Sequence, residues 1–223
     1  SGENRALILV TTDKGMCGSI NSNLLRKVND EFVTDHTRVI AAGRKGAQHA
    51  SRVGWDLTAD FSYSDTPVFA EARAIARMAV ELFENAEVDH VDIAFTNFIN
   101  TLSQKPEVQT LLPITEIKGV QAGVEGEEMA SELSGGTAEF LFEPSAGGVL
   151  GALLPHYINF QVHQILLEAK ASEFSSKMVA MKNATDNAND LIKDLTLEFN
   201  KMRQAAITNE LLEITSAQMA LGN

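Results

Sequence analysis

Apolar runs and amphipathic stripes alternate along the first hundred residues of the chain. Two runs, at residues 6–12 and 38–42, are rich in Leu, Ile, Val and Ala, and a further strand is predicted at residues 89–98. Continuous runs of this kind are typical of strands covered on both faces, as in a parallel sheet. Weaker strands are predicted at residues 55–62, 108–114 and 139–143. The segments between these strands have apolar residues at helical spacing. This alternation of strands and helices predicts an α/β fold with a mostly parallel sheet and flanking helices.

Helices are predicted between these strands wherever apolar residues recur every three or four positions. Two of them cover residues 21–34 and 45–53. A third runs to about Ala86, with Thr66 as its N-cap and Pro67 at its first helical position. The segment 117–136 is rich in Gly, Glu and Ser without an apolar period, and it predicts a mobile loop.

The last third of the chain has no strand pattern. Pro155 is its only proline, and neither Gly nor Pro occurs between His156 and Leu221. We predict a short helical lead-in and then one helix of about 70 residues, roughly 100 Å long at 1.5 Å per residue. The alternative is a bundle of two or three ordinary helices, which would need turns. The sequence thus divides into an α/β domain at residues 1–145 and a long helix at residues 146–223.

One stripe of mostly apolar and small residues follows this helix in steps of mostly three and four. Such a stripe is typical of a left-handed coiled-coil seam, and small residues in its middle would let two helix axes approach to about 8 Å. The stripe comprises Ile158, Val162, Ile165, Ala169, Ser172, Ser176, Ala180, Ala184, Asn187, Leu191, Leu195, Phe199, Met202, Ala206, Leu211 and Ile214.

Composition narrows the function classes. The 223 residues are 44% hydrophobic and carry a formal net charge of −12. A negative surface argues against nucleic-acid binding and against docking on anionic lipid. Because Cys17 is the only cysteine, an internal disulfide is impossible and a reducing compartment is expected. No apolar run approaches the length of a bilayer span, so we expect contact with a membrane only through partners.

The turn at residues 12–19 is the strongest candidate for chemistry, because it follows the first strand and opens a helix. Phosphates bind at such places in α/β proteins. The GMCGS stretch lacks both the three-glycine dinucleotide pattern and the GK[ST] ending of a phosphate loop. Cys17 is either a nucleophile activated by the helix N-terminus or a bystander thiol. The five histidines form no ligand pair, so we predict neither a cofactor nor a metal.

Two polar stretches interrupt the long helix. Residues 183–190 contain Asn and Asp, which are poor helix formers, and they indicate either a solvated face or a loosened seam that meets partner groups. Arg203, Gln204, Thr208 and Glu210 lie near the end of the helix. Because so long a helix cannot bury its own end, the apolar residues around them need a surface from another molecule.

Three segments resemble the gamma subunit of F-type ATP synthases: LVTTDKGMCGSINSNL at 9–24, FINTLSQKPEVQTLLP at 98–113, and ASEFSSKMVAMKNATDNANDLIKDLTLEFNKMRQAAITNELLEIT at 171–215. The resemblance implies a Rossmann-like domain with two long helices in an antiparallel coiled coil. It also implies a central-stalk rotor that couples c-ring rotation to ATP synthesis or hydrolysis in a ring of alpha and beta subunits. A subunit of this kind is not itself an enzyme.

The resemblance implies particular contacts. Partners would be the alpha, beta and epsilon subunits and the c ring, on the cytoplasmic side of a bacterial plasma membrane or the matrix side of a mitochondrial one. The alpha–beta ring would contact Lys14, Cys17, Lys177, Arg203, Gln204, Thr208 and Glu210. The c ring would lie near Phe142, Glu143 and Pro144.

Three departures from the family pattern are visible. The family begins with a long amphipathic helix ending in a KITKAM-like stretch, whereas this sequence starts at the first strand. Lys177 stands where many members have Arg, which keeps the charge and loses the bidentate fork. The thiol-switch insertion of chloroplast members is not seen.

Two other functions compete with the one that the resemblance implies. The first is an α/β enzyme that uses the turn Asp13 to Ser19 on a phosphorylated substrate, and the second is a scaffold whose helix pairs with unrelated proteins.

Overall fold

A computed structural model describes residues 4–33, 36–114 and 146–221 of the chain, without the side chains of residues 146–150 and 152. The chain forms two units, Ser1–Ser176 and Lys177–Asn223. The first unit contains nearly all the regular elements, and the second contains the remainder of the last helix. The strands are β1 (Arg5–Val10), β2 (Thr37–Ala42), β3 (Asp56–Phe61), β4 (His90–Asn100) and β5 (Ser103–Leu112). The helices are α1 (Ile20–Glu31), α2 (Arg44–Val53), α3 (Phe69–Glu84) and α4 (Ala146–Leu221).

The five strands form one sheet in the order β3-β2-β1-β4-β5. Strand β1 is parallel to β2 and to β4, and β2 is parallel to β3. Only β5 is antiparallel, because it follows β4 directly in a hairpin. In the middle of the sheet Ile8 pairs with Ile40 on one side and Ile93 on the other. The predicted mostly parallel α/β sheet is confirmed.

Alternate residues of β1 point to opposite faces of the sheet, and each face has its own core. Ile8 and Val10 belong to a core that includes α3 and part of α4, whereas Leu7 and Leu9 belong to one that includes α1 and α2. All four side chains are at most 1% exposed. This explains why β1 reads as a continuous apolar run rather than an alternating one.

The start of α3 differs from the prediction. The helix begins at Phe69 with Val68 as its N-cap, so Thr66 and Pro67 lie outside it. The Glu71 carboxylate accepts hydrogen bonds from the backbone N–H groups of Val68, at 2.9 Å, and of Ser64, at 3.0 Å. A glutamate at the third helical position therefore supplies the cap, rather than the Thr66 hydroxyl.

Strand β5 also begins earlier than predicted, at Ser103 instead of residue 108, and ends at Leu112. Its first residues are polar and include Pro106, which the apolar pattern does not mark as strand. These residues are part of the strand because they pair with β4: Thr96 lies opposite Pro106, and Phe98 lies opposite Gln104. Proline is tolerated there because β5 is an edge strand.

Helix α4 is one continuous helix, which excludes the bundle of shorter helices as well as a separate lead-in before Pro155. Pro155 lies inside it, where a proline removes one backbone hydrogen bond and crowds the carbonyl four residues earlier. The turns that follow pack well, since Ile158 and Val162 are 7% and 0% exposed. That burial offsets the missing hydrogen bond.

The first part of the predicted coiled-coil seam packs against the sheet and α3. Ile158, Val162, Ile165 and Ala169 belong to the core of the α/β unit, beside α3 and one face of the sheet. The prediction that these residues form a coiled-coil seam is corrected, because an apolar stripe at helical spacing does not distinguish a sheet from a second helix as its partner. Compactness accordingly assigns α4 to the first unit as far as Ser176. The predicted loop at 117–136, the predicted strand at 139–143 and the three residues Phe142, Glu143 and Pro144 lie outside the described residues.

Candidate functional site

The turn after β1 lies at the carboxyl edge of the sheet and is held by its own side chains. The Thr12 hydroxyl donates to the Lys14 carbonyl at 2.7 Å. The Asn21 amide donates to the Thr12 hydroxyl at 2.7 Å and accepts from the Thr12 backbone N–H at 3.2 Å. Met16 and Gly18 adopt the left-handed backbone, with φ of 63° and 62°. The sequence DKGMCGS thus forms a tight, internally bonded turn.

Cys17 is on the inner side of this turn and is 2% exposed. Its sulfur lies 3.7 Å from the Thr12 hydroxyl and 3.5 Å from the Asn21 amide nitrogen. Neither neighbour is a base that could activate a thiol nucleophile. The geometry therefore fits the bystander interpretation of Cys17. Among the described residues, no group of three or more His, Cys, Asp and Glu side chains could hold a metal ion.

The outer side of the turn consists of Lys14 and Met16. The Lys14 side chain is 74% exposed and Met16 is 76% exposed. The sequence predicted Lys14 and Cys17 as parts of one contact surface, and the structure places them on opposite sides of the turn. Lys14 points to solvent and is available to a partner, while the Cys17 side chain is enclosed.

Helix α4 is bonded to this edge of the sheet through the small residues of its predicted seam. The Ser176 hydroxyl donates to the Cys17 carbonyl at 2.5 Å, and the buried Ser172 hydroxyl donates to the Thr96 carbonyl at 2.9 Å. A methyl group at Gly18 would lie 2.9 Å from the Ser176 oxygen. The close approach of turn and helix therefore requires small residues on both sides.

A buried charged group beside these contacts was missed by sequence reasoning. Lys170 and Glu173 are 4% and 1% exposed, and the Lys170 Nζ lies 3.0 Å from a Glu173 carboxylate oxygen. Burial alone would lower the pKa of Lys170, but the Glu173 and Asp65 carboxylates outweigh it, and this pKa is raised. The sequence contains no signal for this burial, because two charges at i and i+3 are ordinary on a solvated helix face.

The second unit is helical from Lys177 to Leu221 and exposes large apolar side chains along its length. In the chain by itself, its exposed large hydrophobic residues are Met178, Met181, Leu191, Ile192, Leu195, Leu197, Phe199, Met202, Ile207, Leu211, Leu212, Ile214, Met219 and Leu221. Monomeric proteins rarely expose apolar surface of this extent unless it binds a partner. The polar run 183–190 is exposed as well.

Every residue predicted near the end of the helix is exposed, including Arg203, Gln204 and Glu210. The Thr208 hydroxyl donates to the Gln204 carbonyl at 2.9 Å, so its lone pairs remain able to accept a hydrogen bond. Lys177, the first residue of the second unit, is half-buried. Within the described part of the chain, no helix is both long enough and apolar enough to cross a bilayer.

Comparison with known proteins agrees with these features. The sequence model of the family described as ATP synthase matches residues 1–221. A curated relative from Opitutus terrae, the ATP synthase gamma chain, is 45% identical over 97% of this chain and 74% of its own length. The ATP synthase gamma chain of Heliobacterium modesticaldum is 42% identical over 96% of this chain and 73% of its own length. The chain belongs to the ATP synthase gamma-chain family.

Solved structures have the same fold. A chain of the Tetrahymena thermophila mitochondrial ATP synthase, solved as central stalk and c ring, superposes with a TM-score of 0.63 at 26% identity, covering 83% of this chain and 78% of that one. A chain of the Euglena gracilis mitochondrial ATP synthase gives a TM-score of 0.71 at 19% identity, covering 98% and 73%.

Proposed function

We propose that this chain is a central-stalk rotor subunit of a proton-translocating F-type ATP synthase, and that it couples c-ring rotation to ATP synthesis or hydrolysis in the alpha–beta ring. The observation that carries the proposal is helix α4. One uninterrupted helix of 76 residues is packed into an α/β unit between Ile158 and Glu173 and exposes large apolar side chains from Met178 onward. The gamma-chain relatives and the central-stalk structure of Tetrahymena support it.

The subunit belongs to the membrane-associated ATP synthase. Its bacterial relatives favour a peripheral position on the cytoplasmic side of a bacterial plasma membrane, rather than the matrix side of a mitochondrial inner membrane. Contact with the membrane would be indirect, through the epsilon subunit and the c ring. We assign the c-ring contact to Phe142, Glu143 and Pro144 on the resemblance of the LFEP segment alone.

The chemistry of the exposed helix suits a surface that must turn inside a ring. Apolar contacts are non-directional, so the same side chains can lie against successive positions of a ring with little change in free energy. Arg203 can instead form bidentate hydrogen bonds to carboxylates, which are directional. We propose that Arg203, Gln204, Thr208 and Glu210 contact the alpha–beta ring at the end of the helix. Lys177, Lys14 and the turn that contains Cys17 would contact it elsewhere.

In a complete assembly, Gln204→Ala or Thr208→Ala is expected to weaken coupling or assembly while leaving ATP binding to isolated beta subunits unchanged. Each change removes at most one or two hydrogen bonds, worth about 0.5–1.5 kcal/mol each. Proton pumping per ATP hydrolysed in reconstituted vesicles measures the effect. Thr196→Ala is the matched control, because Thr196 is also exposed on α4 and its hydroxyl likewise donates to the carbonyl four residues earlier. A collapse of single-site nucleotide chemistry on beta, with assembly and rotation normal, would contradict the proposal.

The competing function is an α/β enzyme that uses the turn Asp13 to Ser19 on a phosphorylated substrate. Cys17 is enclosed, and its sulfur has a hydroxyl and an amide as its side-chain neighbours. We therefore expect the isolated chain neither to bind nor to hydrolyse ATP. Equilibrium binding of a fluorescent ATP analogue and a phosphate-release assay check this. Turnover that disappears in both Asp13→Asn and Cys17→Ser would establish the enzyme instead.

A further inference from the structure

Many contacts attach the segment from Thr11 to Cys17 to the rest of the first unit, including hydrogen bonds to α1 and α2. Three of them involve Tyr63, Asp65 and Ser176. The Tyr63 hydroxyl donates to the Thr11 carbonyl at 2.9 Å. An Asp65 oxygen lies 4.0 Å from the Lys14 Nζ. The third contact is the hydrogen bond from Ser176 on α4 to the Cys17 carbonyl described above. The segment is therefore attached at its beginning and at its end, and an exposed ion pair lies between these two points.

Lys170 links two of these three contacts. Its Nζ lies 3.2 Å from the other Asp65 oxygen and 4.8 Å from the centre of the Tyr63 ring. Asp65 thus lies between an exposed lysine of the turn and a buried lysine of α4. The Lys170 ammonium also holds the aromatic ring whose hydroxyl bonds to Thr11, because a cation is attracted to the face of such a ring. We call Tyr63, Asp65, Lys170 and Glu173 the Lys170 cluster.

The cluster is a rigid connection because it is mostly out of water. The side chains of Lys170 and Glu173 are 5% and 2% exposed, and Tyr63 is 5% exposed. Moving a buried charge away from its partner is strongly destabilising, because nothing replaces the lost hydrogen bond. Asp65 is at the rim, with its side chain 62% exposed. The cluster therefore has a fixed inner end on α4 and an outer end that reaches the turn.

We propose that Lys170 is a positioning residue, which holds the partner-facing turn Asp13–Gly18 in a fixed orientation on helix α4 through Asp65 and Tyr63. A push on Lys14 or Met16 then moves the helix rather than deforming the turn. The step from position to torque rests on the proposed function as a rotor. The positioning itself does not, and it can be measured on the chain alone.

The single cysteine reports on the turn directly. Cys17 is enclosed by the turn, so its reaction with a small disulfide reagent requires the turn to open. We expect Lys170→Met to raise that rate about tenfold, the factor that losing a charged hydrogen bond implies. Asp65→Asn should raise it about threefold, because the Asp65 side chain is largely exposed and solvent weakens its ion pairs. The double variant should add little to Lys170→Met, because the two residues act in one connection. Arg77→Met, which removes the exposed pair with Glu81 on α3, is the matched control and should leave the rate unchanged.

The free energy of global unfolding, measured on the same variants, separates positioning from simple destabilisation. If the turn opens locally, Cys17 of Lys170→Met should react faster than that of the unaltered chain in about 1 M denaturant or less. The increase should be about tenfold larger than the lower global stability accounts for. If global unfolding accounts for the whole increase, or if Asp65→Asn leaves the rate unchanged, the proposal is overturned. Asp65→Asn changes a side chain that is largely exposed, so it keeps the test decisive even where Lys170→Met does not fold.

The complete assembly then tests the consequence for coupling. Proton pumping per ATP hydrolysed should fall in Lys170→Met and Asp65→Asn, in the same order as their Cys17 rates rise, and stay unchanged in Arg77→Met. Normal pumping in variants with a loosened turn would overturn the link between positioning and torque. Failure of the unaltered complete subunit to assemble with alpha and beta subunits would instead reject the proposed function, while the thiol rates would still decide the positioning role.

Discussion

Gly43→Ala is expected to destabilise the chain severely, by about 3 kcal/mol or more in the free energy of unfolding. Gly43 follows β2 with φ of 107°, and a methyl group there would lie 2.1 Å from the backbone carbonyl oxygen of Thr11. No side chain can move to relieve that overlap, because the obstructing atom belongs to the backbone of the central strand region. Chemical denaturation of the isolated chain measures the change.

Two other glycines provide controls that divide the effect into its causes. Gly54 has φ of 84° with nothing within 4 Å, so Gly54→Ala carries only the backbone strain, about 1–2 kcal/mol. Gly15 has neither a left-handed φ nor a near neighbour, so Gly15→Ala should be close to neutral. Equal losses for Gly43→Ala and Gly54→Ala would show that the overlap with Thr11 relaxes and that our explanation is wrong.

Leu166→Ala is expected to cost the isolated chain about 2–5 kcal/mol, whereas Leu195→Ala should change its stability by less than about 0.5 kcal/mol. Both residues are leucines on helix α4. Leu166 is 0% exposed in the core beneath the sheet, and Leu195 is 55% exposed in the second unit. Truncating the first leaves a cavity, while truncating the second removes little contact within the chain.

The same pair should reverse its importance in the complete assembly if the second unit is a partner surface. There, Leu195→Ala should weaken the association with the alpha–beta ring, measured as subunit loss on dilution. A large loss of stability from Leu195→Ala in the isolated chain would mean that its side chain is covered by the chain itself. That result would remove the main argument for an exposed apolar face.

Much of the fold followed from the pattern of residues. Buried parallel strands need apolar side chains on both faces, so β1 and β2 could be recognised from their runs of Leu, Ile, Val and Ala. The length of α4 could be recognised from the lack of Gly and Pro after Pro155. Family resemblance, carried above all by residues 171–215, pointed to the rotor function, and the gamma-chain relatives agree.

Contacts between distant residues could not be recovered in this way. An apolar stripe at helical spacing says that Ile158 and Val162 are covered, but not whether a sheet or a second helix covers them. Likewise, the turn after β1 contained Lys14 and Cys17 as equal candidates, and only the folded turn places one outside and the other inside. Both answers depend on what lies opposite in space, which periodicity does not encode.

The sequence by itself determined the α/β order of elements and the long final helix, because strand and helix periods are properties of neighbouring residues. Only the tertiary structure decided where the charges of Lys170 and Glu173 lie. Asp65 is far from Lys170 along the chain, yet their charged atoms are 3.2 Å apart. Two charges at i and i+3 normally mark a solvated helix face. They are buried here because the carboxyl edge of the sheet brings Tyr63 and Asp65 over them, and that packing satisfies their charge.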